Sequence, residues 1–402
     1  MLERNYNIKI TDFDEFKKSV EKHSEITSQI NFRLNQVKVV GVISVSDYTL
    51  AVKNGFINSD KCIFPSEDEE VIYEFDNGVF NYHTVKKGTI KVPSTIQTEF
   101  KRKSQMIFII DDKRYYISPM AYNTMLQRLG LSCTYYNSNT SFNRAIAVCN
   151  ALYLNGSEEV KAIYREADNF RCIYAINSTL YAFDKQNILL DLLHQLSTEV
   201  SFIFDYAYIS NSKVDIYLTC NDEKLKLDKK YTNSNITPGL HIRNSDVGTS
   251  GFLIALTWKV NSVIIEEEEK PVRHIGKMDF DKIIKKAKRK TQKYELCYLS
   301  LKNMKKIKLP KKVIKEISKE VAKQISFAKA IGLRRADELI NAMLMPIKSK
   351  NDITAYDIAI GYIELAQRII SSNSTLQYPL SVSLSRLLGL DWLTIIDEFK
   401  YY

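Results

Sequence analysis

The segment from Pro238 to Leu253 constrains the fold more than any other stretch of the chain. Leu240 and Ile242 alternate with polar neighbours, the period-two pattern of a strand with one buried face. Asn244, Ser245, Asp246 and Gly248 then crowd together residues that bond their own backbone or supply positive φ. Phe252 to Trp258 reads as the returning strand. The expected hairpin sets the Arg243 guanidinium, an amide, a hydroxyl and a carboxylate at one edge of a sheet. Good turn chemistry alone accounts for these residue types. The alternative is a functional turn that presents Arg243, which makes Asn244, Ser245, Asp246 and Gly248 candidate functional residues.

Upstream, Phe13, Phe16 and Val20 recur at helical spacing between Asp12 and His23. From Ile26 to about Ile117 the pattern is β, with Val37–Val45, Val71–Phe75 and Met106–Ile110 as strands. Asp76-Asn77-Gly78 and Asp111-Asp112 mark hairpins, as do the residues Glu166 to Asn169. Helices are expected at Met120–Leu129, ended by Gly130, and at Ser141–Leu152 and Lys185–Leu196. Strands resume at Val200–Ile209 and Val214–Leu218, and Lys259–Ile265 reads as the last of them. Beyond Lys277 the chain reads as helix almost throughout, with a break at Pro310. The expected fold is α+β in three parts: a β-rich region (1–117), a mixed central domain (118–278) and a basic, all-helical domain (279–402).

With 402 residues and 45% hydrophobic composition, the chain can bury a sizeable core. The formal net charge of +10 favours a polyanionic partner, nucleic acid before membrane. The charge concentrates in Lys282, Lys285, Lys286, Lys288, Arg289, Lys290 and Lys293, around an apolar stripe of Ile283, Ile284 and Ala287. Like charges so close repel, and phosphates would relieve the repulsion while releasing counterions. Tyr294 and Tyr298 could stack on bases. Arg165, Arg171 and Arg243 are further candidates for phosphate contact on the central sheet. A solvated helix face in a lysine-rich chain is the structural alternative. Val313, Ile314, Ile317, Val321 and Ile325 form an apolar stripe on the next helix, suited to packing or self-association. The run Glu266–Glu269 reads as a solvated loop, because successive side chains on a strand end diverge instead of converging on a metal.

No C-x-x-C pair, H-x-x-x-H pair, phosphate-binding loop or G-x-S-x-G elbow occurs, so neither metal nor cofactor is expected. His274 could serve as a general acid or base, although a lone histidine between strand and helix is more often structural. The opening residues Met1 to Asn5 are charged and polar, and no apolar run spans a bilayer, which gives the expectation of a cytoplasmic, membrane-free protein with reduced thiols.

Several segments, in order, resemble a phage/plasmid-like protein family of unknown function. They are Leu126 to Leu131 leading to Tyr135-Tyr136, Tyr164 to Tyr181 followed by Ile188 to Leu190, the turn Arg243 to Gly248, and Asn261 to Ile264 with His274 downstream. The resemblance covers about Ser118 to Ala342. Lys259-Val260-Asn261-Ser262 departs from the Cys-Thr-Asn-Gly common in that family, and the N-terminal third is unlike it. The family offers no agreed catalytic residues to carry over, and the resemblance implies a role in phage or plasmid biology. The expected function is therefore non-enzymatic DNA binding, DNA rather than RNA, in replication or recombination, including single-strand binding or annealing. The rival expectations are a virion or assembly protein, an inhibitor of a host protein, and a nuclease using Asp246 or Glu266–Glu269.

Overall fold

Two largely antiparallel sheets of unequal size, seen in a computed structural model, share the chain in a way that cuts across the expected domain boundaries. The structure describes residues 7–58, 62–92, 106–132, 139–183, 186–199, 202–220, 236–248, 250–260, 263–271, 280–373 and 376–399. Helices and strands are both abundant, so the protein is α+β.

The larger sheet has eight strands in the order β2-β8-β9-β7-β6-β3-β4-β5. These are β2 (Thr27–Arg33), β3 (Lys38–Ile43), β4 (Glu69–Asp76), β5 (Val79–Lys86), β6 (Met106–Ile110), β7 (Lys113–Ile117), β8 (Glu159–Ala167) and β9 (Phe170–Ser178). Every pairing is antiparallel except β7 with β9. Its hairpins use two-residue turns in which both residues have positive φ: Asn77-Gly78, Asp111-Asp112 and Asp168-Asn169. That conformation matches the twist of the flanking strands and is one that Asn, Asp and Gly reach at least cost. Helices α1 (Phe13–Ile26), α2 (Val45–Lys53), α3 (Pro119–Arg128) and α4 (Ser141–Asn155) follow in chain order. Residues of the last three pack with the sheet into one core that includes Tyr48, Tyr122 and Cys149. α2 interrupts a region expected to be β throughout. Ser44 caps it by accepting from the Asp47 amide, which turns the chain out of β3.

The smaller sheet has six strands, β1-β10-β11-β12-β13-β14. They are β1 (Asn7–Ile10), β10 (Phe202–Ser210), β11 (Val214–Cys220), β12 (Ile236–Asn244), β13 (Leu253–Val260) and β14 (Val263–Glu266). The expected strand Lys259–Ile265 is thus two strands. Leu240 and Ile242 lie in the core, as the alternation requires. The same core takes in α1 and α5 (Ile188–Glu199) through Phe16, Val20 and Leu192. It continues into helices α6 (Phe280–Met304), α7 (Ile314–Gln324), α8 (Phe327–Ile331), α9 (Leu333–Lys348), α10 (Ala355–Ser372), α11 (Gln377–Ser385) and α12 (Trp392–Glu398). Val313, Ile314, Ile317, Val321 and Ile325 are buried there, so the stripe considered for self-association is spent on the chain's own core. α11 covers the β14 edge, where Ser381 donates to the Ile264 carbonyl. Among the described residues no single helix is long and apolar enough to cross a membrane.

The cores therefore do not part at residues 117 and 278. β8 and β9 complete the sheet begun by the N-terminal strands, and the C-terminal helices complete the core of β10–β14. The junction expected near Asp279 lies outside the described residues. A chain truncated after residue 278 should lose cooperative folding, because Leu256, Trp258 and Ile265 would lose their helical cover. Urea unfolding of that fragment checks this, and a sharp, native-like transition would contradict the shared core.

Candidate functional site

The turn after β12 is not a surface feature. Asn244, Ser245, Asp246 and Val247 are all buried. The tips of the β10–β11 and β12–β13 hairpins abut the large sheet, and the turn fills the joint. Asp246 Oδ2 is 3.0 Å from His23 Nε2 on α1, and both Asp246 oxygens lie 3.3 Å from Arg165 Nη2 on β8. Arg165 also donates to the Asn211 side chain and carbonyl, and its guanidinium lies 4.2 Å over the Tyr174 ring. Around this centre Tyr181 donates to the Ser245 carbonyl, Asn177 to the Val247 carbonyl, Ser245 to the Ser212 carbonyl and Asn244 to Gln186 Oε1. Gly248 has φ +76°, and a Cβ there would come within 2.9 Å of Tyr181. Burial pushes the Asp246 carboxyl up, but Arg165 and His23 outweigh it and hold the group well below the usual carboxylate range. Burial and Arg165 both lower His23, which favours the neutral imidazole.

A second network occupies the opposite strand face. His241 Nε2 bonds Asp215 Oδ1 at 2.8 Å, and Nδ1 lies 3.0 Å from Glu266 Oε1. Arg243 and Lys213 also reach Asp215. Tyr217 stacks on the His241 ring at 4.4 Å, and Tyr206 stacks on Tyr217 at 4.7 Å. Burial lowers the His241 pKa, but the two carboxylates prevail and raise it. Asp215 and Glu266 take opposite ring nitrogens, so the three groups do not converge on one point. Among the described residues no cluster of three or more such side chains could hold a metal ion. Cys149 and Cys172 are buried, and burial pushes the Cys172 thiol up to about 12, which leaves it a poor nucleophile.

The acidic run is a clamp instead of a solvated loop. Glu266 is buried beside His241, and Lys290 donates to both Glu267 and Glu269. Lys286 donates to Glu269 at 3.0 Å, and Arg386 to Glu268 at 2.6 Å. Residues two apart on extended chain thus meet residues four apart on α6, two spacings that match closely. Lys290 is almost wholly buried by the contact.

The ten basic residues singled out from the sequence fall into separate groups. Lys285, Lys288 and Arg289 are exposed on α6, together with Lys282. Lys286 and Lys290 are held by the clamp, and the side chains of Lys293, Tyr294 and Tyr298 lie outside the described residues. Arg171 pairs with Glu166 on the same hairpin. Arg243 is half-buried against Asp215, so the turn does not present it as a free cation. Arg165 is wholly buried, and its expected contact with phosphate does not fit that position. His274, Tyr135, Tyr136, Asn261 and Ser262 lie outside the described residues. The sequence pattern does not single out His23, Asp215 or His241, and it treats Glu266 only as part of a solvated run or a nuclease's metal site. The alternation of Leu240 and Ile242 puts His241 on the outward face, so its burial has no local signature.

Asp246→Asn should cost about 3–5 kcal/mol in urea unfolding, because it leaves Arg165 buried without a counter-ion. Arg243→Ala should cost less, about 1–3 kcal/mol, since Asp215 keeps His241 and Lys213. The two histidines should act on opposite limbs of the stability–pH curve around the unfolded pKa of about 6.5. A lowered folded pKa makes the His23 contribution present above that value and lost as pH falls. A raised one makes the His241 contribution full below it and lost as pH rises. Thermal melts should therefore show a flatter acid limb for His23→Gln and a flatter alkaline limb for His241→Gln.

Comparison with protein-family models, with curated proteins and with solved structures finds no match to this chain.

Proposed function

We propose that this protein binds nucleic acid, without catalysing a reaction on it, through the outer face of α6. The observation that carries the reading is the exposed arc of Lys282, Lys285, Lys288 and Arg289 on a helix whose inner face is fixed. At about 100° per residue these four side chains span roughly a third of the helix circumference. Ile284 and Ala287 anchor the opposite side in the core, and Lys286 and Lys290 rivet the flank to Glu267 and Glu269. A rigid row of cations pays little ordering entropy on meeting a phosphate backbone. DNA as the ligand, single-stranded intermediates of replication or recombination as the setting, and a mobile element as the source are supported only by the family resemblance and the net charge of +10.

Anisotropy titrations with labelled single- and double-stranded oligonucleotides test this reading. Affinity should fall steeply with salt. Replacing Lys282, Lys285, Lys288 and Arg289 by Ala should weaken binding by about 100-fold or more at low salt. It should also reduce the log–log salt slope by about three units, with an unchanged melting temperature. Absence of binding at low salt, or an unaltered slope in the variant, would remove the reading.

A further inference from the structure

A cleft of about 790 Å³ opens between α1, α5 and strand β10, and its lining includes none of the residues discussed above as a site. Its floor is aromatic and aliphatic: Phe202, Phe204, Leu193 and Leu196. Phe204 is held edge-on by Phe13 at 5.5 Å and lies 5.2 Å from Phe16. The α1 wall carries Phe13, Lys17 and Glu21, spaced four apart and so stacked on one helix face. The α5 wall carries Leu190, Asp191 and His194. Phe13 is 43% exposed. Large apolar groups clustered in a concave site mark a binding surface more often than isolated exposed ones do.

The charge of the rim selects the occupant. In a chain of net charge +10, the cleft is bordered by Asp12, Glu21 and Asp191 against Lys17 alone, counting His194 as neutral. Asp12 is engaged in capping α1 at the Glu15 amide. Glu21 on α1 and Asp191 on α5 both line the cleft, are exposed, and form no ion pair among the described residues. Each wall offers about two helical turns, roughly 12 Å from residue 13 to residue 21. A groove of that length between two helices, apolar below and acidic at both lips, is complementary to a short amphipathic helix with a leucine-rich face flanked by basic residues. We infer that this cleft docks a basic amphipathic helix of a partner protein. The inference does not rest on nucleic-acid binding by α6, which uses other residues.

The test uses the full chain, freed of nucleic acid, and two synthetic helical peptides of matched length, one of Leu and Lys and one of Leu and Glu. The wild type should bind the Leu/Lys peptide and not the Leu/Glu peptide. The double reversal Glu21→Lys with Asp191→Lys should weaken Leu/Lys binding about tenfold or more and admit the Leu/Glu peptide. Phe13→Ser should weaken binding of the Leu/Lys peptide without a charge change. Oligonucleotide binding should be unchanged in both variants, and melting temperature in the charge reversal, which separates failure here from failure of the α6 reading. Equal binding by wild type and reversed variant, or no binding of either peptide, would overturn the proposal. So would a dimer of the chain alone that Phe13→Ser dissolves, since the occupant would then be a second copy.

Discussion

A buried carboxylate, Asp246, is the charged centre of the joint between the two sheets. It projects from the small sheet and meets Arg165 of the large sheet and His23 of the helix that passes between them. Burying one charge of each sign is costly unless the geometry is close and the remaining donors are met. Here Asn211 takes two of the Arg165 hydrogen bonds and the Tyr174 ring covers the guanidinium face, while the buried Nε–H is left without a hydrogen-bond partner among the described residues. His23, favoured as the neutral imidazole, adds a hydrogen bond without adding a second positive charge. The arrangement fixes orientation as much as stability, because a rotation of one sheet against the other would separate charges that cannot find water.

The same economy recurs along the small sheet. His241 is held between Asp215 and Glu266, and the three glutamates that follow fasten the helical part of the chain through Lys286, Lys290 and Arg386. Much of the charge that looks available in the sequence is therefore internal wiring. What remains outward on α6 is a shorter and more ordered row of cations than the lysine count implies.

Local chemistry made the local structure legible. Asn77-Gly78, Asp111-Asp112 and Asp168-Asn169 announce their hairpins because few residue pairs tolerate positive φ twice in succession. The helix ending near Gly130 and the alternation of Leu240 with Ile242 were readable for similar reasons. α2 was missed although Ser44 and Asp47 carry a capping signal, because the β-branched run through Val45 spoke more strongly. Arg165 looked like a surface cation beside Glu166. Its burial depends on Asp246, 81 residues away, which no local pattern encodes. The clamp had a faint signature, Lys286 and Lys290 at helical spacing downstream of an extended acidic run, but only contact between them gives it meaning.

The pairing of β1 with β10 carries a consequence for how the chain comes into being. Ile8 lies opposite Ile209, and Asn7 opposite Ser210. β1 leaves a ribosome well before β10, and must wait for its partner while the whole of the large sheet is made. Meanwhile α1 has only part of its burying surface, because Phe16 and Val20 pack in a core that also needs Ile216, Leu240 and residues as late as Trp392. The large sheet, whose last strand ends at Ser178, can close first and leave the N-terminal strand tethered but unpaired. Long-range pairing of this kind is slow, and it leaves apolar surface open while it waits. β1, made ahead of the whole large sheet, is thus among the last of the described strands to be paired.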